Sequence, residues 1–295
     1  MRILITGGTG FVGQRLCPRL AGAGHEVVVA SRRATARVPG AARVVTSLGG
    51  LEPDGFDAAI NLAGEPIGDA RWTPERKRLL RDSRVTTTRA LVEWMGRAAR
   101  RPATLVSASA VGWYGDQGDR VLTEDVRPVP GFTHELCDAW EREAIRAEAY
   151  GTRVCLARIG VVLDRDGGAL AKMLPAFKLG GGGPLGSGQQ WFPWIHREDM
   201  AGILQWLVET PGARGVYNAS APTPVTNAVF TRELGRALHR PAVVPMPAFA
   251  LKALFGEMSE LLLMSDRMVP KRLLDEGFAF RHPTLPAALS AIFGG

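Results

Sequence analysis

The sequence predicts an α/β protein, a doubly wound parallel sheet joined to a smaller C-terminal α/β unit. Three observations predict it. Short apolar runs alternate with helical stretches from Arg2 to Asn218, the rhythm of strands joined by crossover helices. The first run, Arg2 to Thr6, meets Gly7, Gly10 and Gly13 where a helix opens. Beyond Leu163 the rhythm breaks into a glycine-rich loop, an aromatic cluster and short helices.

The opening turn is the best-defined element. Thr6-Gly-Gly-Thr-Gly-Phe-Val-Gly13 links a buried strand to a helix over Gln14 to Ala23. Small residues are needed there because a pyrophosphate must reach the backbone, where free N–H groups and the helix dipole bind it. Gly7 permits the turn, Gly10 the approach, and Gly13 close packing of helix on strand. A glycine-rich hairpin would need a second strand after Gly13; instead Phe11, Val12, Leu16 and Leu20 recur at helical spacing. The candidate cofactor contacts of the turn are Gly7, Thr9, Gly10, Phe11, Val12 and Gly13.

His25 to Ala30 is the second strand, and the residues at its end select the nucleotide. An NAD site places an acidic side chain there for the ribose 2′-hydroxyl. This chain has Ser31-Arg32-Arg33, and a hydroxyl beside a permanently charged donor fork suits a 2′-phosphate. The expected cofactor is therefore NADP.

Arg43 to Thr46 reads as a third strand and Phe56 to Leu62 as a fourth, ending in Asn61-Leu-Ala-Gly64. Small residues at that carboxyl edge let a nucleotide lie against the backbone. Thr73-Pro74 caps a helix running to Arg97, whose Arg84, Thr87 and Thr88 face either the sheet edge or water; spacing does not choose. Ala103 to Ser109 is the fifth strand, Phe132 to Tyr150 a helix, and Arg153 to Leu163 a sixth strand. A short helix over Ala169 to Phe177 precedes the loop Gly180 to Gly188 and the cluster Gln190 to His196. That stretch reads equally as a substrate lid or as a cover for the sheet. A helix over Arg197 to Glu209, a strand over Gly215 to Asn218 and a helix over Ala228 to Leu238 follow. Pro245 to Phe280 is a helical tail broken at Pro270, with Met258, Met264 and Met268 as core filler. The expected division is a dinucleotide-binding unit of residues 1–164 with 196–220 returning to it, and a substrate unit of 165–195 and 221–295.

Composition narrows the function. The charge is 36 Lys+Arg against 29 Asp+Glu, net +7, but the basic residues are scattered arginines on helix faces, which argues against nucleic acid. Three irregularly spaced cysteines make neither a disulfide framework nor a zinc site, so no metal is expected. No run has the roughly 20 apolar residues of a membrane helix, and the first residues already form a strand. A cytoplasmic protein with a small polar substrate and no membrane partner is the expectation.

Together, Thr6 to Gly13, Asn61 to Gly64, Ser107-Ala-Ser109 with Tyr114-Gly115, and Trp194-Ile-His-Arg-Glu-Asp199 resemble the extended short-chain dehydrogenase/reductases, the NAD-dependent epimerase/dehydratase family. Within it, Arg71-Trp72, Asp82-Ser-Arg84, Arg158 to Leu163, the glycine loop and the tail from Arg240-Pro241 through Gly277-Phe278 resemble the subgroup of epimerase-family proteins with a C-terminal domain of unknown function. The resemblance spans the whole chain. It implies a Rossmann-type fold with Ser31 and Arg32 at the 2′-phosphate, Leu62 and Ala63 beside the adenosine half, Arg84 and Val162 nearer the rest of the dinucleotide, and a homodimer paired through helices bordering the sheet.

One departure bears on activity. Family enzymes use a Tyr four residues before a Lys, whose charge lowers the tyrosine's pKa for proton exchange. Matching Trp140 and Glu141 to that helix puts Thr133 at the Tyr position and Cys137 at the Lys position. Ser109 matches the family's catalytic Ser/Thr, and Tyr114, His134 and His196 are the alternative proton sources. Two functions stay open: an NADP(H)-dependent oxidoreductase or sugar-epimerase-like enzyme with Ser109 and Tyr114 as catalytic candidates, or an NADP(H)-binding regulatory protein without turnover.

Overall fold

The computed structural model describes residues 1–33 and 35–294. The chain begins β1 (Arg2–Thr6), α1 (Gly13–Gly22), β2 (Glu26–Ala30), β3 (Arg43–Val45) and β4 (Ala58–Asn61). It continues with α2 (Pro74–Gly96), β5 (Thr104–Ala110), β6 (Val121–Leu122), α3 (Phe132–Ile145), β7 (Arg153–Ile159) and β8 (Val161–Asp164). Next come α4 (Gly168–Lys178), β9 (Trp191–Phe192), β10 (Trp194–His196), α5 (Arg197–Glu209), β11 (Gly215–Ala219), β12 (Val225–Thr226) and α6 (Asn227–Ala237). The last elements are α7 (Ala248–Phe255), α8 (Glu260–Leu263), β13 (Arg267–Met268), α9 (Lys271–Asp275) and α10 (Leu285–Phe293).

Seven strands form one parallel sheet in the order β11-β7-β5-β4-β1-β2-β3. Strands so rich in Val, Ile and Leu need cover on both faces, and alternation along each strand provides it. Ile3 and Ile5 meet Leu16 and Leu20 of α1 and Ile203 and Leu207 of α5. Leu4 and Val28 point the other way, to Leu91, Trp94 and Met95 of α2 and Ala144 of α3. The chain leaves β1 toward β2 on one side and returns on its other side as β4. That reversal opens a crevice at the carboxyl ends of β1 and β4, where doubly wound sheets take their ligands.

The expected strand over Arg153 to Leu163 is two strands. β7 belongs to the main sheet, while β8 turns away to pair in parallel with β10. Gly160 makes the break: a Cβ there would lie 2.2 Å from the Pro193 carbonyl oxygen, and its N–H donates to Ala219. The helix expected to reach Tyr150 ends at Ile145 and tightens into a 3₁₀ turn over Arg146–Tyr150.

A second core joins Leu163, Leu170, Leu174, Phe177, Trp194, Phe230 and Leu234 to Leu285, Leu289 and Ile292 of α10, a helix absent from the sequence reading. The tail is a set of short pieces, with β13 paired to β6. Met258 and Met268 are buried in two satellite clusters. Cys17, Cys137 and Cys155 are free, buried thiols. Among the described residues, no helix is long and apolar enough to cross a membrane.

Candidate functional site

At the crevice, β1 delivers the chain into a turn that glycine alone can make. Gly7 has φ +72°, and a Cβ on it would lie 2.5 Å from the Leu62 carbonyl carbon and oxygen at the end of β4. A Cβ on Gly13 would lie 2.6 Å from Gly8, so the helix end is pressed onto the turn. Gly10 is different: only the Gly7 oxygen, at 3.1 Å, would be near its Cβ, which leaves its outer side open. Val12 stands at the N-cap of α1 and offers no side-chain hydrogen bond. Gln14 and Arg15 donate back to Gly10 and Val12 at 3.0 Å, and among the described residues nothing in the chain accepts from the amides of Phe11, Val12 or Gly13. An uncapped helix end with bare amides in a crevice is a cradle for an anion.

Phe11 has a further task. Its ring fills the space that side chains at Gly167 and Gly168 would take, and the Arg197 guanidinium lies 4.4 Å over it. The ring thereby ties the turn to the start of α4. Thr9 is half-buried beside it, its carbonyl accepting from Gln14 at 3.3 Å.

A buried polar network holds the carboxyl ends of β1, β4 and β5 in register. Asn61 accepts from the Thr6 hydroxyl at 2.6 Å and donates to Thr88 at 2.7 Å and Ser107 at 3.3 Å. Thr88 of α2 thus faces the sheet. Leu62 and Ala63 follow, half-buried, on the crevice floor.

At the end of β2, the Ser31 hydroxyl accepts from Arg33 N–H at 3.2 Å. Arg32 reaches across to Glu65, just past β4, at 2.8 Å. Arg84 of α2 donates to the Glu65 carbonyl at 2.9 Å, with its guanidinium wedged between Gly64 and the Trp140 ring. Burial lowers its pKa from the ordinary arginine value. Val162 of β8 is half-buried at the edge of the main core.

The expected catalytic groups are brought into the fold, and each has an internal partner there. Ser109 is buried at the end of β5 and donates to Glu141 of α3 at 2.6 Å. Glu141 in turn holds Arg158 of β7 through two hydrogen bonds of 2.9 and 3.0 Å, and Arg158 lies 3.3 Å from the Trp113 ring centre. Tyr114 is wholly buried and donates to Asn218 at 2.7 Å; burial pushes its pKa up to about 12. His134 pairs with the Trp113 carbonyl at 2.8 Å. His196 caps α5 by accepting from Glu198 N–H at 3.1 Å, and burial, then the neighbouring His282, lowers its pKa to about 4. Cys137 is buried, its pKa pushed up to about 12, first by burial and then by Glu141.

Sequence reasoning used Glu141 and Arg158 only as landmarks of the family resemblance and did not foresee their pairing. The signal was present: Arg158 interrupts a run that is otherwise apolar, and a charge inside a buried strand requires a partner. Glu65 was also missed, and nothing in the spacing of a loop carboxylate marks it.

Thr133, at the position of the family tyrosine, lines a cavity of about 380 Å³ between the loop after β5, the start of α3 and the tail. Asp116, Lys252, Ser259 and Glu260 give it polar character, and Val129, Phe132, Leu263 and Met264 an apolar wall. The glycine loop is hydrogen-bonded to the segment after α6: Gly186 donates to Met246 at 2.9 Å, Val244 to Gly182 at 3.1 Å, and Met246 to Pro184 at 2.9 Å. Among the described residues no cluster of His, Cys, Asp or Glu could hold a metal ion.

Sheet order, glycine turn and crevice define the class of dinucleotide-fold proteins. Residues 3–220 match the model of the NAD dependent epimerase/dehydratase family, and residues 246–292 match a domain of unknown function, DUF1731. The chain belongs to the NAD-dependent epimerase/dehydratase family, in its extended short-chain dehydrogenase/reductase branch. It is 40% identical over 302 residues to the Arabidopsis thaliana epimerase family protein SDR39U1 homolog, chloroplastic, covering 99% of this chain and 86% of that protein. The structure of the human epimerase family protein SDR39U1, solved with NADPH, superposes with a TM-score of 0.93 at 38% identity and covers 100% of both chains. A nucleoside-diphosphate sugar epimerase from Corynebacterium glutamicum is similar over 100% of this chain but 58% of its own, with a TM-score of 0.78 and 33% identity.

Proposed function

We propose that the chain binds NADPH across the carboxyl ends of β1, β2 and β4 and works as an NADP(H)-dependent oxidoreductase or sugar-epimerase-like enzyme on a small polar substrate. The observation that carries the reading is the open side of Gly10 beside the bare amides of Phe11 and Val12 at an uncapped helix end. Likeness over the full chain to a human protein solved with NADPH supports it.

In this reading the turn from Gly7 to Gly13 holds the diphosphate. Ser31 and Arg32 take the 2′-phosphate, Leu62 and Ala63 flank the adenosine half, and Arg84 and Val162 lie toward the rest. A reduced nicotinamide supplies a hydride when bound. The chain supplies orientation, charge and a proton. With Ser109 and Tyr114 engaged elsewhere, the proton comes from a group lining the cavity, whose ionisable members are Asp116, Glu260 and Lys252.

A second reading, nucleotide binding without turnover, is favoured by one observation: Ser109, Tyr114, His134 and His196 all have internal partners. One experiment separates the two. The purified protein is titrated with NADPH and NADH, then assayed for NADPH oxidation against aldehydes, ketones and nucleotide sugars. Saturable binding with turnover is the expected result, and binding without turnover on any substrate class favours the second reading. No saturable binding of either nucleotide overturns both. Arg32→Asp is expected to weaken NADPH relative to NADH; an unchanged ratio places the 2′-phosphate elsewhere.

A further inference from the structure

We infer that Glu65 moderates the preference between the two nicotinamide nucleotides, by holding Arg32 until a 2′-phosphate takes it. The inference rests on the reading above that Arg32 meets that phosphate, and adds a residue to which nothing in the glycine turn or the strand ends pointed.

The two partners differ in freedom. The Arg32 side chain is 88% exposed and its guanidinium is tied to Glu65 at 2.8 Å. Glu65 is 22% exposed and anchored through its backbone: its N–H donates to Ser83 at 3.1 Å and its carbonyl accepts from Arg84 at 2.9 Å. The carboxylate therefore stays while the guanidinium can swing. Glu65 also has a second cation, Arg76, at 4.0 Å, itself braced on the Pro66 carbonyl. When Arg32 leaves, the carboxylate is not stranded.

A phosphate that draws Arg32 away from Glu65 must outcompete the carboxylate for the same guanidinium. NADPH brings a dianion that can win; NADH brings a hydroxyl that cannot, and leaves the ion pair closed. NADPH affinity is then measured against a broken ion pair, whereas NADH affinity is not. Glu65 thus narrows a preference that Arg32 alone would make wider.

The test is equilibrium titration of wild type, Glu65→Gln, Arg32→Ala and the double variant with NADPH and with NADH, at low and high salt. Glu65→Gln keeps the shape of the side chain and removes its charge. It is expected to tighten NADPH by roughly two- to five-fold, the range of an exposed ion pair, with NADH unchanged. The gain is expected to shrink in high salt and to vanish when Arg32 is Ala. Glu65→Asp, which withdraws the carboxylate, is expected to shift NADPH in the same direction by less. Weaker NADPH binding by Glu65→Gln, an equal change for both nucleotides, or a gain that survives Arg32→Ala overturns the inference. Wild type that gives no saturable NADPH signal overturns instead the function on which it rests.

Discussion

Arg158 carries a charge into the edge of the sheet interior, where Glu141 grips it with two oxygens and Trp113 covers it. Removing one member of such a pair leaves the other buried and alone. Arg158→Leu is expected to cost about 3–5 kcal/mol, because Glu141 keeps only the Ser109 hydroxyl. Ser109→Ala, which leaves the pair intact, is expected to cost about 1–3 kcal/mol, and Tyr114→Phe, which orphans the Asn218 oxygen, a similar amount. Urea unfolding of the three variants checks the order; a Ser109→Ala loss as large as that of Arg158→Leu would contradict it. Two other residues give stability a pH dependence of opposite sign. Asp266 has no partner on its Oδ1, and burial, then Asp116, raises its pKa to about 8. The unfolded chain ionises it from about pH 4 while the fold keeps it neutral, so stability falls as pH rises from about 4 to 8. His196 shifts the other way: the unfolded chain protonates it below about pH 6.5 and the fold resists, so stability falls as pH falls toward 4. Asp266→Asn is expected to raise Tm more at pH 8 than at pH 5. His196→Asn keeps a capping side chain and is expected to flatten the loss between pH 6.5 and 4. Thermal melts across that range measure both.

Among elements, the turn after β1 was the most legible, since its glycines answer to local geometry. Gly7→Ala must place a Cβ 2.5 Å from Leu62 at φ +72°, and is expected to abolish NADPH binding and lower Tm. Gly22→Ala is the contrasting substitution: the position is exposed in the last turn of α1 with nothing within 4 Å, and a gain of about 0.5–1 kcal/mol is expected. Nucleotide titration and thermal melts of both variants check the pair. The main-sheet strands were legible as short continuous apolar runs, the pattern of strands buried on both faces. The break between β7 and β8 was not: residues on both sides of Gly160 are apolar, and only the Pro193 carbonyl, 33 residues on, forces the turn. The cofactor crevice could be read from the turn and the strand ends. The engagement of Ser109 and Tyr114 could not, because Glu141 and Asn218 lie 32 and 104 residues away in sequence.

Across the whole molecule, the tail is part of the core rather than an appendage. The Asp199 carboxylate accepts from Arg281 N–H at 2.7 Å and His282 N–H at 2.9 Å, which aims the chain so that α10 closes over the second core. Leu289 is 1% exposed there, and Leu289→Ala is expected to cost about 2–5 kcal/mol in urea unfolding. A smaller cost would mean that α10 is only loosely seated. Arg71 donates to the Leu254 carbonyl at 2.9 Å and to the Ala253 carbonyl at the end of α7, joining the loop after β4 to the tail.

The three cysteines, all interior, give the molecule a built-in reporter. Burial pushes their pKa values to about 12, 12 and 11 for Cys17, Cys137 and Cys155, far from the thiolate that alkylating reagents need. Cys17 lies on the buried face of α1, Cys137 on that of α3 and Cys155 within β7, so each is shielded by a different piece of the architecture. Iodoacetamide uptake at each sulfur, followed by mass spectrometry, would time the opening of the nucleotide half, the cavity wall and the sheet separately. Three equal rates would mean that the protein comes apart in a single step.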